Sequence, residues 1–233
     1  VNVDDVDWLL APLPSGRHGL TREQVAHSQR LRLVSSAIAV AGSEGYTAMT
    51  VSAVIARANV SRKTFYEQFA DREHCFLAAY EVVVARALAG MRAAYATEAP
   101  WSERLRLAIG WALDALAAHP SEARVAFVEV LVAGPRALRL RDLALQELTP
   151  LFAPGFDVAP ASTTIPSSMP LAIVGTFTEL IGLQVRQGDV MQLPQLLPEL
   201  LYCALAPFVG PAAAADAVAA ERRAGAYRAP VRV

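Results

Sequence analysis

The run TVSAVIARANVSRKTFYEQF, residues 50–69, constrains this chain more than any other stretch. Val51, Val54, Ile55 and Ala58 repeat at helical spacing, Asn59 and Val60 interrupt, and Phe65 and Phe69 resume the period. Two short helices joined by a tight turn satisfy that pattern. Thr50 caps the first and Ser61 the second, because a hydroxyl accepts an orphan N–H of the first turn. Asn59 takes the corner, where the backbone must turn left-handed and Asn tolerates it. Val60 before the second cap and Phe65 after it form a hydrophobic staple that sets the angle of entry. With Phe65 and Phe69 facing inward together, Arg62, Lys63, Thr64 and Tyr66 project from the opening turns of a braced helix. Basic and hydroxyl groups at that end of a rigid helix suit the reading of a major groove. Spacing alone also admits a helical hairpin within an unrelated α protein, its charges merely solvated. Lys63 favours the DNA reading: it is the one lysine among 21 basic residues.

The run from Val25 to Tyr80 resembles the N-terminal domain of TetR-family transcriptional regulators, above all in TVSAVIARANVSRKTFYEQFADREHCFLAAY. Thr50, Ile55, Ala58, Val60, Ser61, Thr64, Phe65, Tyr66, Phe69 and Leu77 carry the likeness, over about a quarter of the chain. The remainder resembles the family only in size and helical content. One departure is Arg72, where the family usually has lysine at the start of its fourth helix.

Composition agrees with an all-α fold. Hydrophobic residues make up 54% of 233, rich in Ala and Leu and poor in alternating β-branched runs. The net charge of −1 hides an asymmetry. Residues 15–75 hold eight basic and five acidic side chains, the rest thirteen and seventeen. A basic head on an acidic body suits a DNA contact at one end. Cys75 and Cys203 stand far apart and are expected as free thiols in a reducing compartment. The acidic start VNVDDVDWLL lacks the basic lead-in of a signal peptide, and charges or prolines interrupt the longest apolar runs. A cytoplasmic protein with no membrane partner is the expectation.

Chemistry for catalysis is not found. No glycine-rich phosphate loop or nucleophile elbow occurs, and His18, His27, His74 and His119 make no metal-ligand pattern. No enzyme activity, metal or cofactor is expected. Residues 1–20 read as a flexible arm, 21–70 as the helix-turn-helix domain, 71–210 as a ligand-binding and dimerisation domain, and 211–233 as a tail. Thr21 with Gln24 makes a capping box that opens a first helix, its inner face read as Leu31, Val34, Ile38 and Ala41. Asp71 caps a long helix to about Tyr95. Further helices are expected from Ser102 to His119, Ser121 to Ala133, Pro135 to Leu148, Leu171 to Gln187 and Pro194 to Phe208, with 150–170 as a long loop.

Two carboxylates interrupt apolar helices, Glu129 and Glu179. Each is either a polar anchor in a ligand pocket or a member of an ordinary ion pair. Trp111, Phe127 and Phe177 either line such a pocket or belong to the plain core. Val174, Phe177 and Ile181 form a stripe suited to packing on a partner helix, which makes them the dimer-interface candidates.

The resemblance implies a homodimer held by a bundle of the last two body helices. It implies a repressor of a palindromic double-stranded DNA operator, released by a small molecule bound in the body. Lys63 and Arg62 are the candidates for base edges or nearby phosphates. Thr64 and Tyr66 fall where the family contacts phosphates or thymine methyls, and Thr50 and Ser52 where it contacts the backbone. Arg72 and Gln68 complete the set, and Arg17 with His18 is placed to reach an adjacent minor groove. Few polar groups in the body helices point to a largely apolar effector. Two rival readings remain: a constitutive DNA binder without a ligand, and a helical enzyme or carrier with a look-alike hairpin.

Overall fold

The computed structural model describes residues 21–223, all-helical among those residues. The helices are α1 (Arg22–Glu44), α2 (Val51–Ala58), α3 (Arg62–Gln68), α4 (Arg72–Tyr95), α5 (Trp101–Ala118), α6 (Pro120–Phe127), α7 (Pro135–Gln146), α8 (Pro154–Val158), α9 (Met169–Gln187), α10 (Leu197–Val209) and α11 (Pro211–Arg223). Short 3-10 turns occupy Glu129–Leu131, Thr149–Phe152 and Val190–Leu196. The expected arm contact of Arg17 and His18 lies outside the described residues.

Local caps start the helices of the head. The Thr21 hydroxyl accepts from Gln24 N at 3.2 Å while Gln24 Oε1 accepts from Thr21 N at 2.8 Å, the reciprocal pair of a capping box. Asp71 accepts from His74 N at 2.8 Å and opens α4, whose 24 residues carry the chain from head to body. One correction concerns α1. Its buried stripe is Leu33, Val34, Ala37, Val40 and Ala41, with Leu31 and Ile38 only half-buried. The stripe is rotated because α2, α4 and α6 all pack against α1.

A first core gathers Leu33, Val54, Phe65 and Phe76 of the head with Val125, Val130 and Ala137 of the body. A second is built from α5, α9, α10 and α11 around Leu105, Leu113, Leu200 and Phe208. The body thus supplies part of the head's own core.

That sharing explains why 121–133 is not one helix. The α-helix stops at Val128 (φ −120°, ψ −60°) and resumes as the 3-10 turn Glu129–Leu131. On a straight helix Val125 and Val130 would point about 140° apart. The break buries both completely and turns Glu129 into the head. Glu129 is 4% exposed, and its Oε2 accepts from the backbone N–H of Tyr46 at 2.7 Å. Its Oε1 accepts from Arg124 at 2.6 Å. Beside it, Gly42 lets α1 touch α6: a Cβ there would lie 2.5 Å from the Ser121 Cα.

Other differences have simple causes. Helix α5 begins at Trp101 behind Pro100 rather than at Ser102, with the Pro100 carbonyl accepting from Glu103 N at 2.9 Å. The expected loop over 150–170 shrinks to 159–168, since Phe152 and Gly155 are buried against the body. Pro211 opens α11, the helix that the Ala-rich tail forms as far as Arg223. Ala214 and Val218 of α11 are buried, and Glu221 pairs with Arg106 at 3.3 Å. Among the described residues, α4 alone is long and apolar enough to cross a membrane by length and composition. In the fold its first half, Cys75–Tyr80, is buried in the head core. Both cysteines are free, and burial pushes the Cys75 thiol up to about 12.

Replacing Glu129 by Ala strands the Tyr46 N–H and leaves Arg124 without its partner. We expect a loss of about 3–5 kcal/mol, the range for breaking one side of a buried ion pair. Gly42→Ala should cost about 1–3 kcal/mol through overpacking against the Ser121 backbone. Denaturant unfolding of both variants measures these losses; a change below about 0.5 kcal/mol would remove the Glu129 contact from the account of head–body attachment.

Candidate nucleic-acid interface

Every turn of the α2–α3 unit is fixed by a local bond. Thr50 Oγ1 accepts from Ala53 N at 3.1 Å. Asn59 is the one non-glycine residue with positive φ among the described residues (φ 51°, ψ 52°), and Val60 N then donates to Ile55 O at 3.2 Å. Ser61 Oγ accepts from Thr64 N at 3.0 Å and lies 2.9 Å from the Thr64 hydroxyl. Phe65 is fully buried and Phe69 nearly so, their ring centroids 5.8 Å apart. A seven-residue helix would be marginal in water by itself. Here α3 is held by its cap, its two phenylalanines and the packing of α2.

The exposed side of this unit collects the expected polar groups. Arg62 Nη2 donates to Ser52 Oγ at 2.8 Å, so the openings of α2 and α3 form one continuous edge. Lys63 projects into solvent, its side chain 87% exposed, with only Glu67 nearby at 3.8 Å. Tyr66 is 53% exposed, its ring edge-on to Phe65. Thr50, Ser52, Arg62, Lys63, Thr64 and Tyr66 thus all belong to the opening turns of α2 and α3, which the Arg62–Ser52 bond joins. Arg72 and Gln68 sit differently. Arg72 stacks over the Tyr46 ring at 4.7 Å and donates to Thr47 O at 3.3 Å, bracing the turn before α2. Gln68 offers its carbonyl to Arg30, whose guanidinium lies 4.4 Å above Phe69. Sequence reading missed Arg30; its spacing from Phe69, 39 positions along the chain, gives no local signal.

Within the body, a cavity of about 150 Å³ is lined mainly by apolar groups, including Val83, Met91, Trp111, Phe127, Val174 and Phe177. Arg86 and Glu122, paired with each other, supply polar groups in its wall, and Arg141 is close by. Trp111, Phe127 and Phe177 are brought together there. Glu129 and Glu179 are not. Glu129 is committed to Tyr46 and Arg124, and Glu179 is 76% exposed with Arg186 at 3.8 Å. The proposed interface stripe also points the other way: Val174 and Ile181 are buried and, with Phe177, face the cavity. The apolar stripe of α9 is spent on the body's own core, which sequence periodicity cannot distinguish from a partner's.

Residues 33–79 match the family model described as "Bacterial regulatory proteins, tetR family". Over these residues the head of the chain is a TetR-type regulatory domain. The match covers the second half of α1 through the buried start of α4, and so includes the whole α2–α3 unit. Solved TetR-like structures agree in fold. A transcriptional regulator FadR from Bacillus subtilis, solved with stearoyl-CoA, superposes with a TM-score of 0.67 at 19% identity over 77% of this chain and 98% of that one. The fatty acid degradation regulator FadR from Bacillus halodurans gives 0.66 at 18% identity over 75% and 96%. A tetR-family regulatory protein from Rhodococcus RHA1 gives 0.60 at 18% identity over 78% and 97%. No curated protein matches the sequence significantly.

The corner residue offers a direct test of this helix-turn-helix head. Asn59→Gly should leave stability nearly unchanged, since Gly accepts a left-handed backbone, whereas Asn59→Val should cost roughly 1–2 kcal/mol. Thermal melts of the two variants compare them; equal melting points would mean that the turn does not need its positive φ.

Proposed function

We propose that the chain is a homodimeric repressor whose paired heads read a palindromic operator and let go when a small, mostly apolar molecule enters the body. The observation that carries this reading is the Arg62–Ser52 edge with Lys63 and Tyr66 free beside it, on a helix fixed at both ends. Residues 21–70 form the reading unit, and the body from residue 71 onward forms the sensing and pairing unit. Lys63 and Arg62 take base edges or flanking phosphates, while Thr50, Ser52, Thr64 and Tyr66 take phosphates. Arg72 acts at the margin, because its guanidinium already holds a contact inside the head, and Gln68 acts there from the far end of α3. Two-fold symmetry then sets the half-sites about one helical turn, ~34–36 Å, apart.

The effector site is the body cavity. Its volume is that of an engineered pocket that takes a benzene ring, so a compact apolar guest fits the cavity as it stands. A stearoyl-CoA ligand, as in the Bacillus subtilis structure, would require the walls to part. The cavity also favours a ligand-responsive regulator over a constitutive one. Phe127 lines it, and two residues on Glu129 holds the turn that leads into α2. A guest that displaces Phe127 therefore acts on the head through a single short linkage. To move the operator from 99% occupied to 99% free, the guest must favour the released state by ~5.5 kcal/mol.

Pairing uses the outer face of α9 and α10. Ala172, Gly175, Thr176 and Leu183 lie at helical spacing on the exposed side of α9, and Tyr202 on that of α10. Small residues at three of these positions permit close approach of a second copy.

Two measurements test the reading. After selection of an operator from random DNA, Lys63→Ala should weaken binding by ~1–3 kcal/mol, while Arg92→Ala, a surface residue paired with Glu147, leaves it unchanged. Equal losses would remove Lys63 from the reading surface. In sedimentation, Leu183→Glu should yield monomers; an intact dimer would place the interface elsewhere.

A further inference from the structure

A second concavity lies where the head meets α7, apart from the effector cavity; of the candidate operator contacts, Gln68 alone lines it. Its volume is about 500 Å³, within the range of small-molecule sites. Its floor is apolar: Phe69, Leu77 and Ala78 from the head side and Leu140 with the exposed Leu143 from α7. Around that floor stand Arg30, Arg136 and Arg139, against Glu81 as the one carboxylate in the lining. Among the described residues, no carboxylate lies within ion-pair distance of any of the three guanidinium groups. Two further polar residues line it, Gln68 and His74, and His74 is oriented from both sides. Its Nδ1 faces Asp71 Oδ1 at 3.0 Å, and its Nε2 faces Arg136 Nη1 at 3.1 Å. Since arginine only donates, that contact puts the ring proton on Nδ1 and lets His74 steer Arg136 without competing for its other donors.

We propose that this cleft is a second ligand site, taking a small amphipathic anion: an oxyanion head on a short apolar tail. Arg136 and Arg139, neither held by a carboxylate, supply donors for the head beside Arg30, which also donates to the Gln68 backbone carbonyl, and the leucine–phenylalanine floor covers the tail. A DNA phosphate would use the arginines but not the floor. The cleft also opens beside the C-terminal end of α3, about 10 Å along that helix from the groups at its N-terminal end. An occupant would touch α1, α3 and α4 on one side and α7 on the other, and so tie the head to the body through residues other than Glu129.

Decanoate and decanol, titrated calorimetrically into the full chain without DNA, separate this site from the effector cavity. Decanoate carries the anion the cleft requires; decanol carries only the tail. Decanoate should bind, and the double variant Arg136→Ala/Arg139→Ala should weaken it by about tenfold or more, the effect of losing one charge-assisted hydrogen bond. The decanol response and the melting point should stay as in the parent chain. Leu143→Asp, a change at an exposed rim position, should weaken decanoate through charge repulsion and provides the test if the double variant folds poorly. Unaltered decanoate binding in these variants overturns the proposal, as does an equal loss for decanol. If the double variant instead weakens operator binding with a shallower salt dependence and keeps decanoate, the arginines are phosphate contacts and the proposal falls. Because the decanoate assay contains no DNA, its failure leaves the repressor reading untouched.

Discussion

Head and body share an apolar core, and one buried carboxylate makes a polar contact between them. Glu129 is ionisable, nearly inaccessible, and satisfied by two donors of different origin: a backbone N–H of the head and a guanidinium of the body. Burying a charge is costly unless such partners are in place, so the bonds impose a geometry rather than merely adding stability. The head cannot rock against α6 without lengthening the Tyr46 bond. Gly42 strengthens the constraint, because the bare backbone of α1 lies against Ser121 with no side chain to act as a cushion. The α2–α3 unit inherits its orientation from this contact, since the turn at Tyr46 and Thr47 leads directly into the Thr50 cap.

The same arrangement makes the body more than a container. Val125, Val130 and Ala137 belong to the head's core, and Phe127 in the same segment belongs to the cavity. Alternate residues of one short stretch thus face two interiors. A shift that accommodates a guest on one side must be absorbed by close-packed residues on the other, and packed interiors transmit displacement rather than dissipate it.

What was legible in the sequence was what is local. The Thr21, Thr50, Ser61 and Asp71 caps, the left-handed Asn59 and the Phe65–Phe69 pair each involve residues within a few positions, and each is present in the structure. The helical class and the span of α4 were likewise readable from periodicity. Contacts between distant segments were not. Nothing around Glu129 announces that Tyr46, 83 positions earlier, will supply its donor. The stripe Val174, Phe177, Ile181 is apolar whether it meets a partner or its own core, and only the placement of α5 and α6 decides. Pro and Ser signals over 150–170 marked a loop, yet Phe152 and Gly155 fill a gap beneath α10 that composition could not reveal. At the candidate interface, the exposed ends of α2 and α3 followed from the caps, while Arg30 and Arg72 required the fold to show what they brace.

The length of α4 has a mechanical consequence. Its 24 residues run about 36 Å without a break from the Asp71 cap to Tyr95. Over that span a rotation of only about 5° at one end moves the other by roughly 3 Å, close to the ~3.4 Å rise of one base pair along a strand. In the proposed repressor, a lever of that gain would convert sub-ångström rearrangement in the body into a full step of register on DNA. It also amplifies noise, so a reader mounted on it needs a stiff second support. The buried carboxylate beneath Tyr46 supplies that support, and the fidelity of reading is bounded by how tightly it is held.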